Sequence, residues 1–102
     1  MKTMRKLYDQ TIDELDGVMD YSECAMAYSQ MDPELSKLYL SMAKQEMEHA
    51  KGLHAMSQKK AASKIGEKDD IDPRLMELWE EMEHAKIEKM ALAKACLDNA
   101  QG

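Results

Sequence analysis

The sequence predicts an all-α fold built from long helices, and three observations carry that prediction. Ala, Leu, Met, Lys and Glu dominate the 102 residues, with few β-branched residues and no Phe, a composition that favours helix nearly throughout. Only four Gly and two Pro interrupt it, too few for a turn-rich β architecture. Both prolines follow an aspartate, in Asp32-Pro33-Glu34 and in Asp72-Pro73. A capping carboxylate followed by Pro at the first helical position is a helix start.

Helix one is expected over about 3–29. Met4, Leu7, Val18, Ala25 and Tyr28 form a heptad-like seam whose remaining positions are Thr11, Glu14 and Tyr21. Gly17 sits inside this helix at a cost of about 1 kcal/mol relative to Ala. Close packing or a local bulge would each explain it. Helix two is expected over about 33–61, joined to helix one by so short a link that the two form an antiparallel hairpin. Its apolar stripe is Leu35, Leu38, Met42, Leu53 and Met56. Residues 61–71, with Ser63, Gly66 and a run of charges, read as a loop. Helix three follows over about 73–99, with Leu75, Leu78, Trp79, Met82, Ala93 and Leu97 as its stripe.

Composition narrows the function classes. The chain is one small domain, with 14 basic residues against 20 acidic, a net charge of −6. That balance argues against nucleic acid as the main partner, because phosphate contacts need a basic face. No apolar run approaches the roughly 20 residues that cross a bilayer, so no membrane partner is expected. Met1 to Tyr8 lacks an apolar signal core. The two cysteines, Cys24 and Cys96, match no paired motif. Both facts lead to an expectation of reduced thiols and a cytoplasmic location. Gly-rich phosphate loops, nucleophile triads and zinc-type Cys/His spacings are missing from the sequence.

One motif occurs twice. Glu46-Met47-Glu48-His49-Ala50-Lys51 has the same six letters as Glu81-Met82-Glu83-His84-Ala85-Lys86. Glu-x-x-His on a helix places a carboxylate and an imidazole one turn apart on one side, a pair that chelates iron or manganese when it faces a partner. The helical wheel separates the copies. Glu46 and His49 both lie within about 50° of the centre of the helix-two stripe. Buried charges are paired or coordinate metals, so this pair is expected to hold a metal or to be closed by a salt bridge or hydrogen bond. His84 falls nearly opposite the helix-three stripe and Glu81 roughly 120° away, so that copy is expected to be solvated. His54 is expected at the surface.

Helix one should supply a further carboxylate. Glu14 is the acidic residue nearest its apolar direction. Glu14 and Glu46 also lie about 16 residues either side of Gln30, which makes them level across the hairpin. Glu23 should sit on the rim, and Asp16 and Asp20 should be exposed.

Glu14, Tyr21 seven residues later, and the segment Ala43-Lys44-Gln45-Glu46-Met47-Glu48-His49-Ala50-Lys51-Gly52-Leu53 resemble the first helical hairpin of rubrerythrins, within the ferritin-like superfamily. Encapsulated ferritins have a similar short hairpin, including a start like Asp32 to Leu35. The resemblance spans about residues 4–60. It implies a ferritin-like antiparallel hairpin plus a third helix, forming a helical bundle as a dimer. It implies Glu14, Glu46 and His49 as iron ligands, with Glu46 able to bridge two metals, and Tyr21 as a hydrogen-bond donor behind them. Read from its own chemistry, Tyr21 is equally an amphipathic core tyrosine.

The chain departs from the family in one respect that matters. A full dinuclear set takes a Glu from each of two helices and Glu-x-x-His from each of two others. Here one hairpin supplies half. Two copies related by a twofold axis would complete it, and would also add apolar burial to a chain whose own core is thin. The expected partners are therefore a second copy of the chain, or a multiple of the dimer, and metal ions. Iron is expected, with manganese or zinc as alternatives, and the chemistry would be oxidation of Fe(II) by oxygen or peroxide. The rival expectation is a non-catalytic helical interaction module in which the same three residues are hydrogen-bonded without metal.

Overall fold

The computed structural model describes residues 2–67 and 73–102. They form three helices, α1 over Lys2–Tyr28, α2 over Pro33–Glu67 and α3 over Pro73–Gln101. The described residues contain no strand, and no described helix is long and apolar enough to cross a membrane. The three helices make a slender bundle with extents of 58 × 19 × 17 Å.

The hairpin turn is built as the Asp-Pro signal requires. The Asp32 Oδ1 accepts a hydrogen bond from the Leu35 amide at 3.1 Å, and the Asp32 amide donates to the Tyr28 carbonyl at 2.9 Å. One residue thereby closes α1 and starts α2, and losing such a cap costs about 1 kcal/mol. Ser36 Oγ donates back to the Ala25 carbonyl, which pins the first turn of α2 to the last of α1.

α2 runs six residues past its expected end. Ser63 and Gly66 lie within the helix rather than opening a loop. A helix tolerates an interior Gly at about 1 kcal/mol, and here it is surrounded by Ala, Lys and Glu. The rest of the expected loop, 68–71, lies outside the described residues.

The core is made by small residues more than by large ones. Leu15 and Val18 of α1, Ala43, Met47 and Ala50 of α2, and Ala93 and Leu97 of α3 form one buried cluster. On α1 the row Met4, Thr11, Val18 and Ala25 is buried as the seam predicts. Its second row is Leu15 and Ser22, one position on from Glu14 and Tyr21, which are half-buried. On α2 the expected stripe is corrected. Leu38 is 56% and Met56 44% exposed, whereas Ala43, Met47, Ala50, Ser57 and Ala61 are buried. The inward seam therefore lies roughly 50–60° round the helix from Glu46. Alanine carries little weight on a hydropathy wheel, yet it lets helices approach closely, so the small-residue face wins the core. The Leu and Met strip is left as a flank of the single chain.

α3 packs chiefly on α1 and much less on α2. Met82, Ala93 and Leu97 are buried as expected, but Leu75 and Leu78 are exposed. Lys86 is the surprise, at 0% relative exposure. Its Nζ meets Glu83 one turn away, and His54 of α2 faces the pair. The His54 imidazole is held below its usual pKa by burial and by the Lys86 charge, opposed by Glu83. His54 is thus half-buried at the α2–α3 seam rather than a surface residue, and its Nδ1 is buried with no hydrogen-bond partner.

A fully buried ammonium needs its partner. Breaking a buried pair costs about 3–5 kcal/mol, whereas replacing both members by neutral groups of similar size is often neutral or stabilising by about 1–4 kcal/mol. Glu83→Ala is therefore expected to lose about 3 kcal/mol in urea unfolding. The pair of changes Lys86→Met and Glu83→Gln is expected to match or exceed the wild type. A Glu83→Ala protein as stable as the wild type would show that Lys86 reaches water.

Candidate metal centre

α1 and α2 are antiparallel and level at Glu14 and Glu46, as the equal count from the turn predicts. One ligand-type atom from each of Glu14, Glu46 and His49 lies within 4.8 Å of the other two. Among the described residues this is the one group of three or more His, Cys, Asp or Glu side chains that converges in this way. His49 Nδ1 stands 3.4 Å from Glu14 Oε2.

The electrostatics follow from two carboxyl groups sharing one place. The Glu46 carboxyl is held above the usual carboxylate range, first by a hydrogen bond with Glu14, then by burial and by the Glu14 charge, with His49 acting the other way. Two carboxylates can hydrogen-bond only if one carries a proton, so without a cation the pair is repulsive unless protonated. Glu14 Oε2 is buried and has no hydrogen-bond partner of acceptable geometry, despite the nearby imidazole. An orphaned carboxylate oxygen beside a second carboxyl group and an imidazole is a donor set suited to a divalent cation such as iron, manganese or zinc.

Gly17 now has a structural reason. A Cβ built on it would lie 3.0 Å from Glu46 Oε2 and 3.3 Å from both Cδ and Cγ. The distal Glu46 side chain thus lies on bare α1 backbone, one turn from Glu14. Close packing, rather than a bulge, accounts for this glycine, and the seam gave no sign of it because the contact is made by a side chain of the other helix.

The group is closed on one side and open on the other. The Ala43–Met47–Ala50 seam and α3 back it. In front, Gln10, Asp13, Glu14, His49, Gly52 and Leu53 line an open cleft of about 500 Å³. The His49 side chain is 61% exposed on that side, more than its place in the stripe predicts. Gly52 has nothing within 4 Å of where its Cβ would be, so no group of the described chain requires it.

The other candidates separate cleanly. Tyr21 lies two turns from Glu14, with its ring stacked on Tyr39 at 6.1 Å, and Tyr39 stacks in turn on Tyr28 at 6.0 Å. Among the described residues Tyr21 makes no hydrogen bond into the Glu14–Glu46–His49 group. Glu81 and His84 are exposed, and His84 pairs with Glu88 at 3.1 Å on the surface of α3. Glu23 and Asp20 are exposed. Asp16, expected to be free, is half-buried and bridges to Lys89, which ties α3 to α1. Cys24 and Cys96 are half-buried free thiols.

Comparison with known proteins supplies no relative for this geometry: no protein-family model, curated protein or solved structure matches the chain.

Proposed function

We propose that the chain is a ferritin-like metal-binding protein in which two copies join their hairpins to form one dinuclear carboxylate centre, with iron as the metal and manganese or zinc as alternatives. The observation that carries this reading is the convergence of Glu14, Glu46 and His49 from two helices to within 4.8 Å. They are half of the Glu plus Glu-x-x-His set of dinuclear bundles.

Three features support the second copy. The ligand group opens forward into a cleft rather than into the core. The exposed Leu38 and Met56, with half-buried Leu35, Met42 and Leu53, flank the same side of α2, and apolar surface beside a cleft favours a partner surface. Gly52 leaves space on that side which none of the described residues fills.

The residues fit the proposed role. Glu14 and Glu46 offer hard oxygen ligands, and His49 offers a nitrogen. A cation neutralising the two carboxylates together would relieve the repulsion that raises the Glu46 pKa. Iron bound there would supply two electrons, one from each Fe(II) as it becomes Fe(III), to oxygen or peroxide as acceptor. A second reading has its own support: His49 Nδ1 lies 3.4 Å from Glu14 Oε2, so the imidazole and the carboxyl groups could satisfy one another in part, as an interaction module without metal would need.

Turnover separates the two. Fe(II)-loaded protein exposed to oxygen should develop ferric absorbance faster than buffer. Glu14→Ala should abolish the excess, because one carboxylate is lost from each half of the centre. Tyr21→Phe should slow it only modestly, since the ring stack on Tyr39 survives. A wild type no faster than the Glu14 variant would mean that the metal, if bound, is structural. A wild type that takes up no iron, manganese or zinc would favour the interaction module.

A further inference from the structure

We propose that Gly17 is a positioning residue that sets where the Glu46 carboxylate lies, and that the helix keeps a glycine there at the expense of its own stability. The inference rests on the reading above that Glu46 is a ligand, but its first evidence is independent of any metal.

Three consecutive atoms of Glu46, Cγ, Cδ and Oε2, come within 3.3 Å of the place a Gly17 Cβ would occupy. A single terminal oxygen could swing aside from a new methyl group. With three atoms in line, the side chain must give as a whole by a few tenths of an ångström, and the carboxylate moves with it. The space it would move into is restricted, because ligand atoms of Glu14 and His49 already lie within 4.8 Å of its carboxylate and Met47 and Ala43 of the same helix are buried towards the core. A displaced Glu46 would therefore shift relative to Glu14 and His49, and the three ligand atoms would no longer converge.

Backbone conformation does not require this glycine. No glycine in the described chain has positive φ, and Gly17 lies in the interior of α1, where Ala is the better helix former. A residue that weakens its helix, adopts an ordinary helical conformation and has the ligand-bearing side chain as its three nearest contacts is accounted for by that side chain. Gly52 makes the contrast, since a methyl group there would meet nothing.

The test uses Gly17→Ala in two backgrounds and two measurements. In metal-free protein, thermal unfolding should show a larger rise in Tm from Gly17→Ala when Glu46 is already Ala than when Glu46 is present. A full helix-propensity gain is worth about 4–8 °C in a chain of this size, and the contact with Glu46 should remove part of it. An equal rise in both backgrounds would overturn the contact as a constraint, whatever the metal content. In the second measurement, Co(II) is titrated as a spectroscopic probe. Gly17→Ala should lower Co(II) affinity by about 10–100-fold, the range for residues that orient ligands, and should alter the visible spectrum, although the metal-free fold is no less stable. Wild-type affinity and spectrum in the variant would overturn the positioning role. A wild-type chain that takes up no Co(II) would overturn the metal-binding reading, and the role of Gly17 in it, while the Tm comparison would still decide whether Gly17 constrains Glu46.

Discussion

Glu46→Ala or His49→Ala is expected to remove nearly all bound iron, whereas Glu81→Ala or His84→Ala should leave it near the wild-type level. The two pairs have the same six-letter surroundings, so the difference is entirely one of direction. Glu46 and His49 point to where Glu14 arrives from α1, and the three ligand atoms lie within 4.8 Å. His84 meets only Glu88 of its own helix, with both side chains more than two-thirds exposed. An exposed pair of that kind contributes about 0–1 kcal/mol to stability, so removing it should disturb neither the fold nor the metal. Removing Glu46 would delete a proposed ligand from each half of the proposed centre, and its own helix offers no substitute there: Met47 and Ala50 are apolar, and Glu48 is exposed on another side. Metal analysis after anaerobic loading reads the result directly. Equal loss from both pairs would mean that α3 carries ligands.

Much of this arrangement was legible before any coordinates. The Asp32-Pro33 start after a short link set the hairpin, and the hairpin set the level of Glu14 against Glu46, because two helices of equal rise leave one short turn. The opposite directions of His49 and His84 followed from counting residues round a helix. The failures share a physical cause. A wheel weighted by hydropathy gives Leu and Met the vote, yet the α2 core face is Ala43, Ala50 and Ser57, chosen for closeness of approach. Lys86 falls within the α3 stripe by angle, but lysine is seldom buried, so hydropathy alone does not place it in the core. His54 was misread with it, since the feature that covers it is the α3 surface carrying Lys86 and Glu83. Gly17 was visible as an anomaly, but its reason is a side chain from another helix and no one-helix pattern contains it.

The dimer is the claim on which the rest depends. One chain brings three candidate ligands, an open cleft lined by two of them and a flanking apolar strip, and a full dinuclear set needs two such hairpins. Burial of that strip between two copies would contribute at about 25 cal/mol per Å² of apolar surface removed from water. The join of four carboxylates around two cations would add attraction that each half lacks. Metal and association should therefore be linked, each strengthening the other. A native mass spectrum of protein loaded with Fe(II) without oxygen tests this most directly. The account predicts a species of two chains carrying about two iron ions, with metal-free chains shifted toward monomer. Metal retained on single chains, or a population that stays monomeric and metal-free across micromolar concentrations, would contradict it.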